Sequence, residues 1–325
     1  MGGIWVHGEL AGDGSLARIS TEVATLARAL GDASGEPVTG VVVGAAPEAA
    51  ATELARYLPR VLAVTEPATA DHAAASVVAR RLAGLVDEQQ PQVVLAGARP
   101  EGRDVAGVLS ALTGLGVLAN ATAVSWTGDG PEAEHSVFGG KLITRSALTT
   151  GRGIVTVRPN VVTAEPAASP GTVEAVSAAG GADGPTAAVV ERIVAEAAAA
   201  PIEEARVIVA GGRGVGGPEG FELMGELAAA LGGTVGATRA AVDSGWIPYG
   251  QQIGQTGKIV KPQLYLAMGI SGAIQHKVGM QTSGTIVAVN RDPDAPIADF
   301  ADLFVVGDLF EVGQALLDRL EARSG

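Results

Sequence analysis

Runs of β-branched residues alternate with helical stripes over most of the chain. Residues 4–6 form a short apolar run, and Leu16, Ile19, Val23, Leu26, Ala27 and Leu30 then recur at spacings of three and four, which predicts a helix over 16–30. A buried strand at 38–43, a helix from Pro47 and a strand at 60–64 follow. A helix over 71–88 is stopped by Pro91, and 92–114 reads as strand, polar loop and helix. Strand–helix units repeated in this way predict a parallel sheet with right-handed crossovers. The loop 97–104 either meets an anion or caps the helix after it. The rhythm then shortens. Segments at 119–126, 134–148 and 153–159 leave no room for crossover helices, and predict strands that extend or close the first sheet, some of them antiparallel.

Pro, Gly and Ala dominate the text that follows, and residues 164–201 are expected to be an interdomain linker with an Ala-rich helix near its end. The alternation resumes with strands at 206–210, 234–238, 263–268, 285–289 and 303–306, and helices at 219–231 and 309–320. The expected fold is therefore α/β in two domains, residues 1–163 and 202–325. Each is a largely parallel open sheet flanked by helices, and the second is doubly wound.

Composition narrows the chemistry. A length of 325 residues exceeds one ordinary core. A formal net charge of -13 and 3% aromatic residues argue against nucleic acid as a partner, since neither a basic surface nor a stacking platform is available. The absence of cysteine excludes thiolate metal sites, disulfides and a cysteine nucleophile. The amino end carries neither a basic region nor a long apolar stretch, and a cytoplasmic location is expected.

Candidate chemistry gathers after the strands of the second domain, where an open α/β sheet binds its ligands. Gly212, Gly214 and Gly217 match G-x-G-x-x-G on paper, but Pro218 delays the helix and no acid follows at the ribose position. The loop therefore reads as a phosphate or diphosphate loop with Arg213 as its cation, or as a turn without chemistry. Residues 254–258 (GQTGK) fail as a Walker A motif because Gln252 and Ile259 stand where glycine and Ser/Thr belong. What remains is a tight turn offering the Gln255 amide and the Thr256 hydroxyl. Ser271 is placed to cap a short helix, and His276 beyond it is either a ligand contact or a structural histidine. No triad and no general acid/base pair can be assembled.

The segments 211–214, 238–280, 285–297 and 301–311 together resemble the alpha subunit of electron transfer flavoprotein. The first domain is similar more loosely, through 4–6, 119–120 and 156–160. The resemblance implies FAD held mainly by the second domain, with a beta subunit covering it. It implies acyl-CoA dehydrogenases or related flavin dehydrogenases as electron donors and a membrane quinone oxidoreductase as acceptor. By position it places Arg213 and Thr238 on the diphosphate side and Arg239 over the isoalloxazine. Gln252, Ile253, Gly254, Gln255 and Thr256 then lie against the flavin, with Thr256 near N5. Ser271, Gly272, Ala273, Ile274, Gln275 and His276 form a helix start near the pyrimidine carbonyl, and Asn290, Asp308 and Leu309 lie on the adenosine side. Thr238 stands where serine is commoner in the family and keeps the hydroxyl. A guanidinium and an imidazole beside the ring would stabilise the negative charge of its reduced form. Two other readings keep the fold: a FAD module of an NADH-linked bifurcating complex, and a nucleotide-binding scaffold without redox turnover.

Overall fold

The structure, a computed structural model, describes residues 2–128, 130–138, 142–177, 186–191 and 202–324. It divides into two compact units, Met1–Ile193 and Val194–Gly325.

The first unit alternates β1 (Ile4–Gly8), α1 (Arg18–Ser34), β2 (Val38–Gly44), α2 (Glu48–Leu54), β3 (Arg60–Thr65), α3 (Ala74–Gln89), β4 (Val93–Gly97) and α4 (Pro100–Thr113). Strands β5 (Gly116–Ala121), β6 (Ala123–Thr127), β7 (Gly130–Val137), β8 (Leu142–Ala147), β9 (Gly153–Val157) and β10 (Thr172–Val176) follow. A seven-stranded sheet runs in the order β10-β3-β2-β1-β4-β9-β5, with every pair parallel. Its central strands are Val-rich and buried on both faces, as a sheet covered by crossover helices requires. Ile4 and Val6 pack on one side with α1 and α2, while Trp5 packs on the other with α3 and α4.

Two expectations are corrected here. The antiparallel strands do not extend the first sheet, because β6, β7 and β8 pair among themselves as a separate three-stranded sheet. The stretch read as a linker contributes β10, which adds to the sheet edge along β3. Arg60 and Glu174 clamp that edge at 2.8 Å. The expected Ala-rich helix lies outside the described residues.

The second unit runs β11 (Val207–Gly211), α5 (Gly220–Ala230), β12 (Thr234–Thr238), α6 (Arg239–Asp243), β13 (Gln252–Ile253), β14 (Leu264–Met268), α7 (Ile274–Met280), β15 (Thr285–Asn290), β16 (Leu303–Val306) and α8 (Leu309–Ser324). Its six-stranded parallel sheet has the order β13-β12-β11-β14-β15-β16. The chain builds outward from β11 to β13, then returns to lay β14 on the other side of β11. That reversal leaves a crevice at the carboxyl ends of β11 and β14, the place where such sheets take a ligand. Ile208, Ala210, Tyr265 and Ala267 pack toward α7, and Val209, Leu266 and Met268 toward α5 and α8.

Candidate functional site

The carboxyl ends of β11, β12, β13, β14 and β15 surround a cleft of about 670 Å³. Arg213, Thr238, Arg239, Ile253, Gly254, Gln255, Thr256, Ser271, Ala273, Gln275, His276 and Asn290, all expected from sequence, line it. Gln252, Gly272, Ile274, Asp308 and Leu309 do not. Gln252 is buried behind its turn, Ile274 is exposed and Leu309 packs in the core. Asp308 accepts from the backbone N–H groups of Phe310 and Glu311 at the start of α8, and pairs with Arg291. That arrangement, with the hydrogen bonds to it, holds the Asp308 carboxyl below its ordinary range.

The glycine loop after β11 is built for close approach. The N–H groups of Gly212 and Gly214 donate to Met268 O and Gly269 O at 3.0 and 3.1 Å. A β-carbon on Gly212 would lie 2.4 Å from the Gly269 carbonyl oxygen, so only glycine fits. Val215 and Gly216 also turn their N–H groups back into the loop. Four backbone donors of this loop are thus engaged within the protein, those of Gly212 and Gly214 in holding it against the next loop. What it offers the cleft is the Arg213 side chain.

Open donors lie instead after β14. Among the described residues, the backbone N–H groups of Ser271, Gly272, Ala273, Ile274 and Gln275 have no acceptor in the protein. The reason is the conformation of the stretch. Gly269 and Gly272 take left-handed φ values of 62° and 87°, and α7 starts only at Ile274. Ser271 is thus not a helix cap, since Ala273 occupies that position without a side-chain bond. The Ser271 carbonyl accepts from Ile297 at 3.0 Å, which anchors the stretch from behind.

The remaining polar groups divide into engaged and open. Asn290 donates to Ile270 O at 2.9 Å and accepts from Asp292 N at 3.0 Å, so it braces two loops. Arg239 opens α6 and pairs with Asp243 at 3.1 Å. His276 is buried, with Nδ1 3.0 Å from Ile253 O and Nε2 2.9 Å from the Tyr265 hydroxyl. Burial draws its pKa down to about 4, against the smaller opposing pull of the Ile253 carbonyl. The imidazole is neutral here. By contrast the Thr238 hydroxyl is buried at the cleft wall with no partner among the described residues. Gly254, at φ 141°, turns the 252–257 segment so that Gln255 N donates to Gln275 O at 2.7 Å.

Sequence reasoning missed Ala240, Asp243, Gly269, Ile270, Asp292, Ala295 and Pro296 as wall residues. Their positions after β12, β14 and β15 were the available signal. Two guanidinium groups, Arg213 and Arg239, one orphaned hydroxyl and several open backbone donors suit a ligand with a diphosphate and several polar edges. Those groups fit FAD.

Comparisons with known proteins agree on the family. The model for the electron transfer flavoprotein FAD-binding domain matches residues 201–281, and the model for the electron transfer flavoprotein domain matches residues 4–181. Electron transfer flavoprotein subunit alpha of Mycobacterium leprae is 42% identical over 318 residues, covering 96% of each chain. That of Mycobacterium tuberculosis strain H37Rv is 43% identical over 313 residues, again with 96% of each covered. Protein FixB of Clostridium saccharobutylicum is 37% identical over 316 residues, covering 95% of this chain and 93% of its own. The chain belongs to the electron transfer flavoprotein alpha-subunit family, and its second unit carries that family's flavin-binding domain.

Proposed function

We propose that the chain binds FAD in the strand-end cleft and, paired with a beta subunit, acts as a cytoplasmic electron carrier. It would take electrons from acyl-CoA dehydrogenases or related flavin dehydrogenases and deliver them to a membrane quinone oxidoreductase. The observation that carries this reading is the set of open N–H groups on the cleft residues Ser271, Ala273 and Gln275, which share that cleft with Arg213 and with the Thr238 hydroxyl, unpartnered among the described residues. FAD, when bound, supplies the acceptance and return of electrons in single steps.

The chain's own residues would bind and tune it. Arg213 and the open donors suit the diphosphate, and the Gly254 turn presents Gln255 and Thr256 to the ring system. The Asp243 carboxylate is tied to Arg239, and the His276 nitrogens are both engaged within the protein. Asp243 and His276 are thereby not joined to each other as an acid–base pair, which suits electron transfer better than group transfer.

The test is the absorption spectrum of the chain purified with a co-expressed beta subunit, followed by mixing with an acyl-CoA dehydrogenase and its substrate. A flavin spectrum that bleaches on mixing supports the reading. Absence of flavin, or bleaching by NADH but not by the dehydrogenase, counts against it.

A further inference from the structure

Tyr265 and His276 share a hydrogen-bond line beneath the cleft. Tyr265 lies on β14 with 0% exposure, and among the described residues its hydroxyl has a single hydrogen-bond partner, His276 Nε2 at 2.9 Å. The rings are 6.1 Å apart between centres and tilted by 56°. On the other side His276 Nδ1 lies 3.0 Å from the carbonyl oxygen of Ile253 on β13. A carbonyl only accepts, so Nδ1 carries the hydrogen. In the neutral ring Nε2 then holds a lone pair, and the Tyr265 hydroxyl donates to it. Burial pushes the phenol well above its ordinary range, so Tyr265 keeps its proton.

The two ends of this line are chemically unequal. The Ile253 carbonyl can serve only an N–H, whereas a hydroxyl can donate or accept. We propose that Tyr265 is the positioning residue for the cleft imidazole. Its hydroxyl donates to Nε2 while the ring is neutral, and turns to accept from Nε2–H when negative charge in the cleft brings a proton onto the ring. His276 thus changes charge without changing place. The proton comes from solvent and adds to the Nε2 lone pair. The Tyr265 O–H bond stays intact and rotates about C–O, and no electron leaves either side chain.

The surroundings permit such a response. His276 lines the cleft, where Arg213 and Arg239 oppose a further positive charge and Asp243 and Asp292 favour one. The nearby lysines are drawn elsewhere, Lys277 over the Phe300 ring at 4.5 Å and Lys258 to Glu203 at 2.6 Å. With these opposed charges in the wall, added negative charge in the cleft decides the balance. The proposal rests on the FAD reading, because that charge is the one carried by reduced FAD.

The experiment is nitrogen NMR of histidine-labelled complex, full chain plus beta subunit, with the His276 signals assigned through His276→Asn. In the oxidised complex Nδ1 is expected protonated and Nε2 bare; on full chemical reduction Nε2 gains a proton. In Tyr265→Phe the protonated fraction in the reduced complex should fall by up to about tenfold, the scale of one hydrogen bond. Tyr265→Phe should also leave the flavin potential unchanged when introduced into His276→Asn, because Tyr265 acts through His276. Nε2 protonated before reduction, or bare after it, overturns the proposal, and so does a Tyr265→Phe complex identical to wild type. If that variant does not assemble, the two wild-type spectra decide. A complex without flavin overturns the FAD reading and this proposal together, whereas flavin bound with Nε2 unchanged on reduction overturns this proposal alone.

Discussion

The buried Gln252 amide donates from Nε2 to the Thr256 hydroxyl oxygen at 3.1 Å, and the Tyr249 phenol donates to the Thr256 carbonyl at 2.8 Å. The turn is thereby held from both sides, while the hydroxyl hydrogen of Thr256 stays free to point into the cleft that the residue lines. Gln252 touches no ligand space of its own; it orients the residue that does.

Thr256→Ala removes that outward donor. A hydrogen bond to the ring should matter more to one oxidation state than to another, so the two one-electron potentials of the bound flavin should shift by unequal amounts. FAD affinity should change by less than about tenfold, and Thr256→Ser should behave as wild type. Potentiometry together with FAD titration checks this. If FAD is lost while the potentials hold, Thr256 only braces the turn.

Arg239 is positioned by an exposed i,i+4 pair with Asp243, and such pairs are worth roughly 0.2–1 kcal/mol. The guanidinium is therefore easily released toward a negative ligand. Arg239→Ala should leave FAD bound and make it harder to reduce, lowering the potential by the equivalent of about 1 kcal/mol. Asp243→Asn should act in the opposite sense. Reductive titrations of both variants test the pair, and shifts of the same sign would contradict the assignment.

Much of this site was legible in the sequence because its information is local. Strand ends followed by Gly, Ser, Thr and Gln mark the carboxyl edge, and Pro218 correctly delayed the helix to Gly220. Hydrogen-bond partners across elements were not legible. Nothing in the spacing of Tyr265 and His276 says that β14 and α7 bring their side chains to 2.9 Å. The Ser271 cap failed because two left-handed glycines carry the chain three residues further before α7 begins. Strand β10 was hidden in small-residue text, since the mostly exposed edge strand Thr172–Val176 has no sustained apolar alternation and needs only β3 beside it to be defined.

Glycine substitutions separate close approach from free space. Gly212→Ala drives a β-carbon into the Gly269 carbonyl and should cost about 1–3 kcal/mol, with weaker FAD binding as the 269–273 stretch is displaced. Gly225→Ala, in α5 with nothing within 4 Å of the added carbon, should instead stabilise by roughly 0.5–1 kcal/mol. Melting of both variants provides the check. A neutral Gly212→Ala would show that the two loops are not locked together.

Stability should depend on pH through two buried histidines. Burial lowers both His7 and His276 from 6.5 to about 4, and among the described residues neither ring nitrogen of His7 has a partner. Between those values the unfolded chain binds protons that the folded chain refuses. Their contribution is complete above about pH 6.5 and is lost as pH falls toward 4. His7→Leu should flatten this slope in urea-unfolding midpoints measured across the window. An unaltered slope would remove His7 as a cause.

FAD binding in the cleft depends above all on Arg213 and the open donors that line it with Arg213. The direct measurement is the FAD dissociation constant of the assembled complex, for wild type, Arg213→Ala and a control at the opposite end of β11, Arg206→Ala. A charge-assisted contact predicts tight binding by wild type and the control, and a loss of about ten- to a hundredfold in Arg213→Ala. Equal affinity in all three, or no FAD binding by wild type, would contradict the account.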